Sequence, residues 1–374
     1  MPETKKIKSI GFDYTLMIPT LILIGIGLVF VYSASSPLAA QKYNNPTFFL
    51  YRQMFFCVIG LFVMFITRKL PITIYAKLVY MSLISCLILL ILVLIPGIAH
   101  SANNASRWIK IGYISIQPAE LTKFAVVTYL AYSLAKKGQS VELFSRGIIP
   151  HITIAGIFAL LLIKQPDLGS AVILVFLSMI IMFVAGVRII YLGTFFILGT
   201  TAFLWIINKE GSHWANRITA YLNPWDYPEG IGYQIIHSFL AFGSGGIFGT
   251  GLGNSTQKLF YLPEAHTDFI FSILAEEIGF LGVTAVVVLF GILIVRGIVI
   301  ALEAKDTYST YLALGISTLI GLQVSINLCV VMGLLPTKGL TLPLLSYGGS
   351  SLVMTLGMIG ILMNISMQQR SRQS

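Results

Sequence analysis

Ten stretches of the chain are apolar for long enough to cross a hydrocarbon layer about 30 Å thick. They run over residues 13–33, 48–66, 76–96, 117–135, 147–164, 168–187, 189–208, 268–295, 311–334 and 344–366. No strand–helix alternation, solenoid-length repeat or heptad seam interrupts them, so the pattern predicts an all-α polytopic bundle in one domain, residues 1–374. Glycines recur inside the runs, for example Gly156, Gly193, Gly315 and Gly360, as close approach of helices in lipid requires. The connections are short except residues 209–267, a length usually reserved for functional or independently folded loops. Within that loop Ile231–Phe242 is apolar enough to lie on a membrane surface. The glycines of Ser244–Gly253 let backbone approach a ligand closely, but they lack the preceding strand, spacing and lysine of a nucleotide loop.

Composition agrees with the pattern: 56% of the 374 residues are hydrophobic and 10% charged, against roughly 25% charged in soluble domains. A net charge of +10 would suggest nucleic acid in a soluble chain. Here the basic residues sit in short loops and report topology instead. With the N-terminus inside, the cytoplasmic segments collect Lys5, Lys6, Lys8, Arg68, Lys69, Lys136, Lys137, Arg146, Arg188 and Arg296, whereas Asp167, Glu210, Asp226, Glu229, Glu264 and Asp268 fall outside. Both termini are then cytoplasmic and the long loop extracytoplasmic. The first run follows a basic start but lacks a small-residue cleavage pattern, so it reads as a retained span. Cys57, Cys86 and Cys329 lie in apolar runs with no metal-ligand spacing, which argues against disulfides and a zinc site.

Candidate chemistry gathers at the outer ends of the runs. Glu264 and His266 precede the eighth run and Asp268 stands at its first position, where carboxylates are costly and a functional site is the default. The plainer alternative is that Thr267 and Asp268 cap the helix that follows, and that His266 is structural. Glu120 and Lys123 share one face of the fourth run, either as a self-neutralising packing pair or as the lining of a polar cavity. Arg107, beside Trp108, offers a planar donor fork suited to phosphate. Glu276 lies about 80° from Asp268 around a helix and Glu277 about 180°, so Glu276 is placed towards the Asp268 cavity and Glu277 towards packing. Gln323, Ser325 and Asn327 are expected to bond across helices. Lys338 stands between two prolines, and Ser346 opens a small, polar stretch at the start of the tenth run.

Read together, Tyr32–Ser35, Ser106–Ile109, Gln117–Glu120 with Lys123, Gln165–Gly169, Arg217 with Asn223, Pro224 and Asp226, Gly232–Gln234, Gly251–Gly253, Pro263–Phe271, Glu276–Glu277 and Ser346–Ser350 resemble the SEDS family (shape, elongation, division and sporulation). Leu335–Pro343 is similar to the division branch, with the sporulation branch close behind. The resemblance implies a ten-span fold, polymerisation of lipid II into peptidoglycan strands, and an essential aspartate at Asp268. It further implies a class B penicillin-binding protein as transpeptidase partner, other divisome membrane proteins around it, and a place in the cytoplasmic membrane at the septum.

On that basis Asp268 acts as general base on the acceptor 4-hydroxyl, with Lys338 and Glu120 as further catalytic candidates. Arg107, Arg217, Lys123, His266, Glu276 and Ser346 are the candidate substrate contacts. No organic cofactor is expected; a divalent cation, Mg2+ or Mn2+, is compatible with a pyrophosphate leaving group. The competing readings are a lipid II flippase, since buried charges also mark transport paths, and a non-catalytic scaffold for the transpeptidase.

Overall fold

The computed structural model describes residues 12–95, 99–102, 105–112, 114–207, 213–230, 232–337 and 339–373. Lys5, Lys6, Lys8, Glu210 and Lys338 lie outside the described residues. Thirteen α-helices are present among those described: α1 (Tyr14–Tyr43), α2 (Phe48–Lys69), α3 (Thr73–Lys77), α4 (Val79–Leu94), α5 (Pro118–Lys137), α6 (Ile149–Lys164), α7 (Leu168–Val184), α8 (Ile189–Ile207), α9 (His213–Leu222), α10 (Tyr233–Gly245), α11 (Ile270–Leu302), α12 (Thr307–Val331) and α13 (Gly349–Gln373). Each of the ten apolar runs overlaps one of the longer helices. Among the described residues six helical stretches are long and apolar enough to cross a membrane: α1, α2, Phe144–Lys164, α11, α12 and Gly349–Gln368. Val79–Leu94, Leu168–Val184 and Ile189–Thr201 are shorter apolar helices.

One piece departs from the all-helical expectation. Between α4 and α5 the chain forms a small antiparallel sheet, β1 (Ala99–Ala102), β2 (Ala105–Ile111) and β3 (Ile114–Ile116), in the order β1-β2-β3. Trp108 pairs with His100, and Ile109 lies between Ala99 and Ile116. At three to seven residues these strands are too short to register as a separate layer in a hydropathy pattern.

The helix connections sort into two ends of the bundle. At one end Arg107 reaches the carbonyls of Gln165 and Pro166, Gln53 holds the carbonyl of Ser346, and Tyr221 on α9 donates to the carbonyl of Leu334. At the other end Asn364 donates to the carbonyls of Arg68 and Leu70, and Asp13 meets Arg296 and Ser366. Helix α1, of 30 residues, spans about 45 Å between them.

Asp13 is 1% exposed, caps α1 by accepting from Leu16 N, and pairs with Arg296 at 2.8 Å. Removing one member of a buried charge pair costs far more than the pair contributes. Arg296→Ala is therefore expected to destabilise the bundle by on the order of 3 kcal/mol, read as an earlier thermal unfolding transition in detergent micelles.

Helix α5 packs against α4, α7 and α12 and is buried almost all round, which is how it can carry Glu120 and Lys123 without facing lipid. Helix α11 is broken at Gly279, whose φ of 65° and ψ of −168° are open only to glycine. The backbone of the glycine-rich segment fills the break. Thr250 N and Gly251 N donate to the carbonyls of Glu276 and Glu277 at 2.9 and 3.1 Å, while Phe280 N and Leu281 N donate to the carbonyls of Gly246 and Ile247 at 2.9 and 3.2 Å. The glycines expected to admit a ligand are instead where one piece of backbone lies directly on another. A Cβ at Gly245, Gly249 or Gly279 would fall closer than 3.0 Å to neighbouring main-chain atoms.

Candidate active site

Asp268 closes the turn that leads into α11. The turn is built on Glu264, whose φ of 56° is left-handed and whose carbonyl accepts from Thr267 N and Phe269 N. Thr267 Oγ1 donates back to Glu264 Oε2 at 2.6 Å. The N-cap of α11 is Phe269, with no side-chain capping bond, so neither Thr267 nor Asp268 serves as the helix cap. Asp268 is half-buried.

Two guanidinium groups flank it from different elements. Arg107, on β2, bonds through Nε to the carbonyl of Gln165 at 3.4 Å and through Nη2 to the carbonyl of Pro166. Its Nη1 is left near Gly339: a Cβ on that residue would lie 3.5 Å from Arg107 Nη1 and 3.1 Å from Asp268 Oδ2. Arg217, on α9, donates to the carbonyl of Thr337 at 3.1 Å. Glu264 and Asp167 add negative charge, the latter while capping α7 through Ser170 N.

The electrostatics follow from this arrangement. Burial, followed by repulsion from Glu264, pushes the Asp268 carboxyl up to about 7, against the opposing pull of Arg107 and Arg217. Burial and the neighbouring Arg107 lower the Arg217 guanidinium, with Asp268 acting the other way. A base whose pKa lies near neutrality is matched to proton transfer at neutral pH, and two cations beside it are suited to a phosphate-bearing group.

The remaining candidates divide between this cluster and its supports. Lys338 lies outside the described residues, between Thr337, which receives Arg217, and Gly339, which adjoins Asp268. Glu120 and Lys123 form a buried ion pair at 2.7 Å, with Gln323 Nε2 reaching Glu120 at 3.4 Å. One helical turn further along α12, Asn327 bonds the carbonyl of Asp268 at 3.0 Å, so the pair is linked to the site through one face of α12. His266 is 9% exposed and packs between Phe49 and Tyr347, its ring centroid 4.8 and 5.7 Å from theirs. Burial lowers its pKa against the raising effect of Glu264. Its ring packs beneath the turn.

Glu276 is engaged elsewhere, and Ser346 is taken up by main-chain bonds at the Asp268 turn. Glu276, expected to face the Asp268 cavity, is fully buried and accepts from Ser255 Oγ, Thr256 N and Thr256 Oγ1. Its carboxylate holds the segment that returns from the glycine-rich loop. Helical angle alone could not anticipate this, because the loop folds back over the helix face. Ser346 Oγ donates to the carbonyl of Thr267 at 2.5 Å and accepts from Leu342 N at 2.8 Å, which ties the 332–348 segment to the Asp268 turn. Glu277, assigned to packing, forms a buried ion pair with Lys258 at 2.9 Å and accepts from Ser33 Oγ at 2.6 Å. No pattern in the sequence singles out Lys258, since its side-chain partners lie 225 and 19 residues away.

Comparison with known proteins places this geometry in a family. Residues 14–371 match the profile of the FtsW/RodA/SpoVE family, described as cell cycle protein. Among curated relatives, the probable peptidoglycan glycosyltransferase FtsW of Geobacter sulfurreducens is 44% identical over 95% of both chains. Stage V sporulation protein E of Bacillus subtilis is 44% identical over 97% of this chain and 99% of its own. A chain of a solved peptidoglycan synthase complex, studied for its coordination of polymerization and crosslinking, superposes with a TM-score of 0.77 at 29% identity, covering 97% of this chain and 99% of that one. The rod shape determining protein RodA of Thermus thermophilus superposes at 0.70 and 28% identity over 98% and 99%. With a profile matched over almost its whole length and a fold shared with RodA, this chain belongs to the FtsW/RodA/SpoVE family of cell cycle proteins.

Proposed function

We propose that this protein is a peptidoglycan glycosyltransferase that polymerises lipid II at the outer face of the cytoplasmic membrane. It is read as ten-spanning, with both termini inside and the Asp268 end of the bundle outside. The observation that carries the reading is a half-buried carboxylate, Asp268, on which two guanidinium groups, Arg107 and Arg217, both act at the end of an apolar bundle. Asp268 takes the proton of the acceptor sugar's 4-hydroxyl; that oxygen attacks the anomeric carbon of the donor, and the bond to undecaprenyl pyrophosphate breaks. A single displacement inverts the anomeric centre and gives a β-1,4 link. Arg107 and Arg217, and Lys338 from the same segment as Gly339, offset the charge that develops on the departing pyrophosphate. Glu120 and Lys123 keep a polar link beneath the site.

Among the described residues no three His, Cys, Asp or Glu side chains come together as a metal cage. Mg2+ or Mn2+ held by one or two carboxylates together with the pyrophosphate oxygens remains compatible with them, and the steps above do not depend on it. The partner is a class B penicillin-binding protein, in line with the solved synthase complex. A role in septal wall synthesis rests on the character of Leu335–Pro343, because identity to the FtsW and sporulation relatives is the same.

One observation favours transport: the break in α11, since discontinuous helices line substrate sites in transporters. That break is filled by Gly246–Gly251, whose backbone pairs with the carbonyls of Glu276 and Glu277 and the N–H groups of Phe280 and Leu281, which weighs against it as a substrate site. Purified protein with its transpeptidase partner, supplied with lipid II in vesicles, tests the reading. Glycan strands on a gel support the enzyme; movement of labelled lipid II between leaflets without polymer supports the flippase and overturns it.

A further inference from the structure

Asn327 is a polar side chain deep in the bundle, 1% exposed, on α12. Its amide nitrogen has two hydrogens and spends them on two different segments: the carbonyl of Asp268 at 3.0 Å and the carbonyl of Leu340 at 2.6 Å. One amide thus joins the turn that carries Asp268 to the segment that brings Gly339 within reach of Asp268 Oδ2 and Arg107 Nη1. The amide oxygen is buried with no hydrogen-bond partner among the described residues, and burying an acceptor unpaired carries a cost. A leucine would fill the same space without that cost, so packing alone does not call for an amide here. What only the amide supplies is the pair of donors. One turn away on the same face, Gln323 repeats the arrangement, with Nε2 towards Glu120 and a buried, unpartnered oxygen.

We propose that Asn327 is a positioning residue for glycosyl transfer, clamping the Asp268 turn to the Leu340 segment so that the carboxylate keeps a fixed distance from Arg107 and a fixed exposure to water. This rests on the reading of Asp268 as the base. Released from the clamp, the two segments separate and water reaches the carboxylate. The charged groups that act on it are Glu264 on its own turn, Arg107 from β2, Asp167 at the start of α7 and Arg217 from α9, with Lys338 adjoining in sequence. Burial is the largest influence raising its pKa, so loosening moves the titration downwards.

The test compares wild type, Asn327→Leu and Asp268→Asn, each purified with the transpeptidase partner. Initial rates of lipid II polymerisation are measured from pH 5 to 9, and thermal unfolding is followed in the same detergent. For Asn327→Leu the expected result is a kcat lower by about tenfold or more, since small displacements of catalytic groups cost up to about 10²-fold. KM stays close to wild type, and the midpoint of the pH–rate profile moves to lower pH. Asn327→Ser, which keeps one donor, is expected to lie between the two and stands in if the leucine variant does not fold. A kcat within twofold of wild type and an unmoved midpoint overturn the inference, provided wild type makes polymer and Asp268→Asn does not. If wild type makes no polymer, or Asp268→Asn matches it, the underlying reading of the site falls as well.

Discussion

Asp268→Asn is expected to lower the rate of lipid II polymerisation by about 10²–10⁴-fold, the range that general-base catalysis contributes, while leaving the folded bundle intact. The substitution keeps the shape of the side chain. Among the described residues, the bonds that hold the turn run through the Asp268 carbonyl to Asn327 and through Glu264, Thr267 and Ser346, none of which the substitution touches. The measurement is a single-turnover or initial-rate assay with labelled lipid II, beside a thermal unfolding curve of the same preparation. A rate within a few-fold of wild type would take Asp268 out of the chemistry.

The pH dependence has a defined sign. The group acts as a base only when ionised, and its pKa is pushed up to about 7. The rate should therefore rise between pH 6 and 8, by about tenfold if this group alone governs it, and level off above. Arg107 favours the ionised form and Glu264 disfavours it. Arg107→Gln should move the midpoint upwards and Glu264→Gln downwards, which separates Asp268 from any other group titrating in the range.

The second large effect concerns stability. Gly279→Ala asks a residue with a Cβ to adopt φ 65°, ψ −168°, a region that costs non-glycine residues about 1–3 kcal/mol by itself. The added carbon would also fall closer than 3.0 Å to Gly249 N, Ile247 O and Phe248 C, all main-chain atoms that cannot swing away. The loop must then leave the break, and the N–H groups of Phe280 and Leu281 lose their acceptors within an apolar setting, at several kcal/mol each. The expected result is loss of monodisperse protein, or a Tm lowered well beyond that of ordinary single substitutions. Gly156→Ala on α6 is the control: nothing lies within 4 Å of the added carbon, and a small gain in helix propensity is expected. Equal behaviour of the two variants would refute the interlock.

Parts of this arrangement were legible along the chain because they depend on local chemistry. The apolar runs locate the long helices, since length and hydropathy are properties of the segment itself. The cost of a carboxylate beside a membrane made Asp268 a candidate, with helix capping as the alternative. The spacing of Glu120 and Lys123 gave their pairing, because three residues on a helix share a face whatever surrounds it.

Tertiary structure decided how those pieces are used. Glu276 and Glu277 are adjacent in sequence, yet one anchors the 255–257 segment and the other pairs with Lys258 and Ser33; partners so distant leave no periodic trace. The glycines of 244–253 look the same in sequence whether they face a ligand or a broken helix, and only the position of α11 tells the two apart. Asn327 stands among polar residues of an apolar run like Gln323 and Ser325. What distinguishes it is that two loops present their carbonyls to a single amide. Hydropathy and helical spacing act within a few turns, so the chain fixed its helices and its charged residues by itself; the company each charge keeps was set by long-range packing.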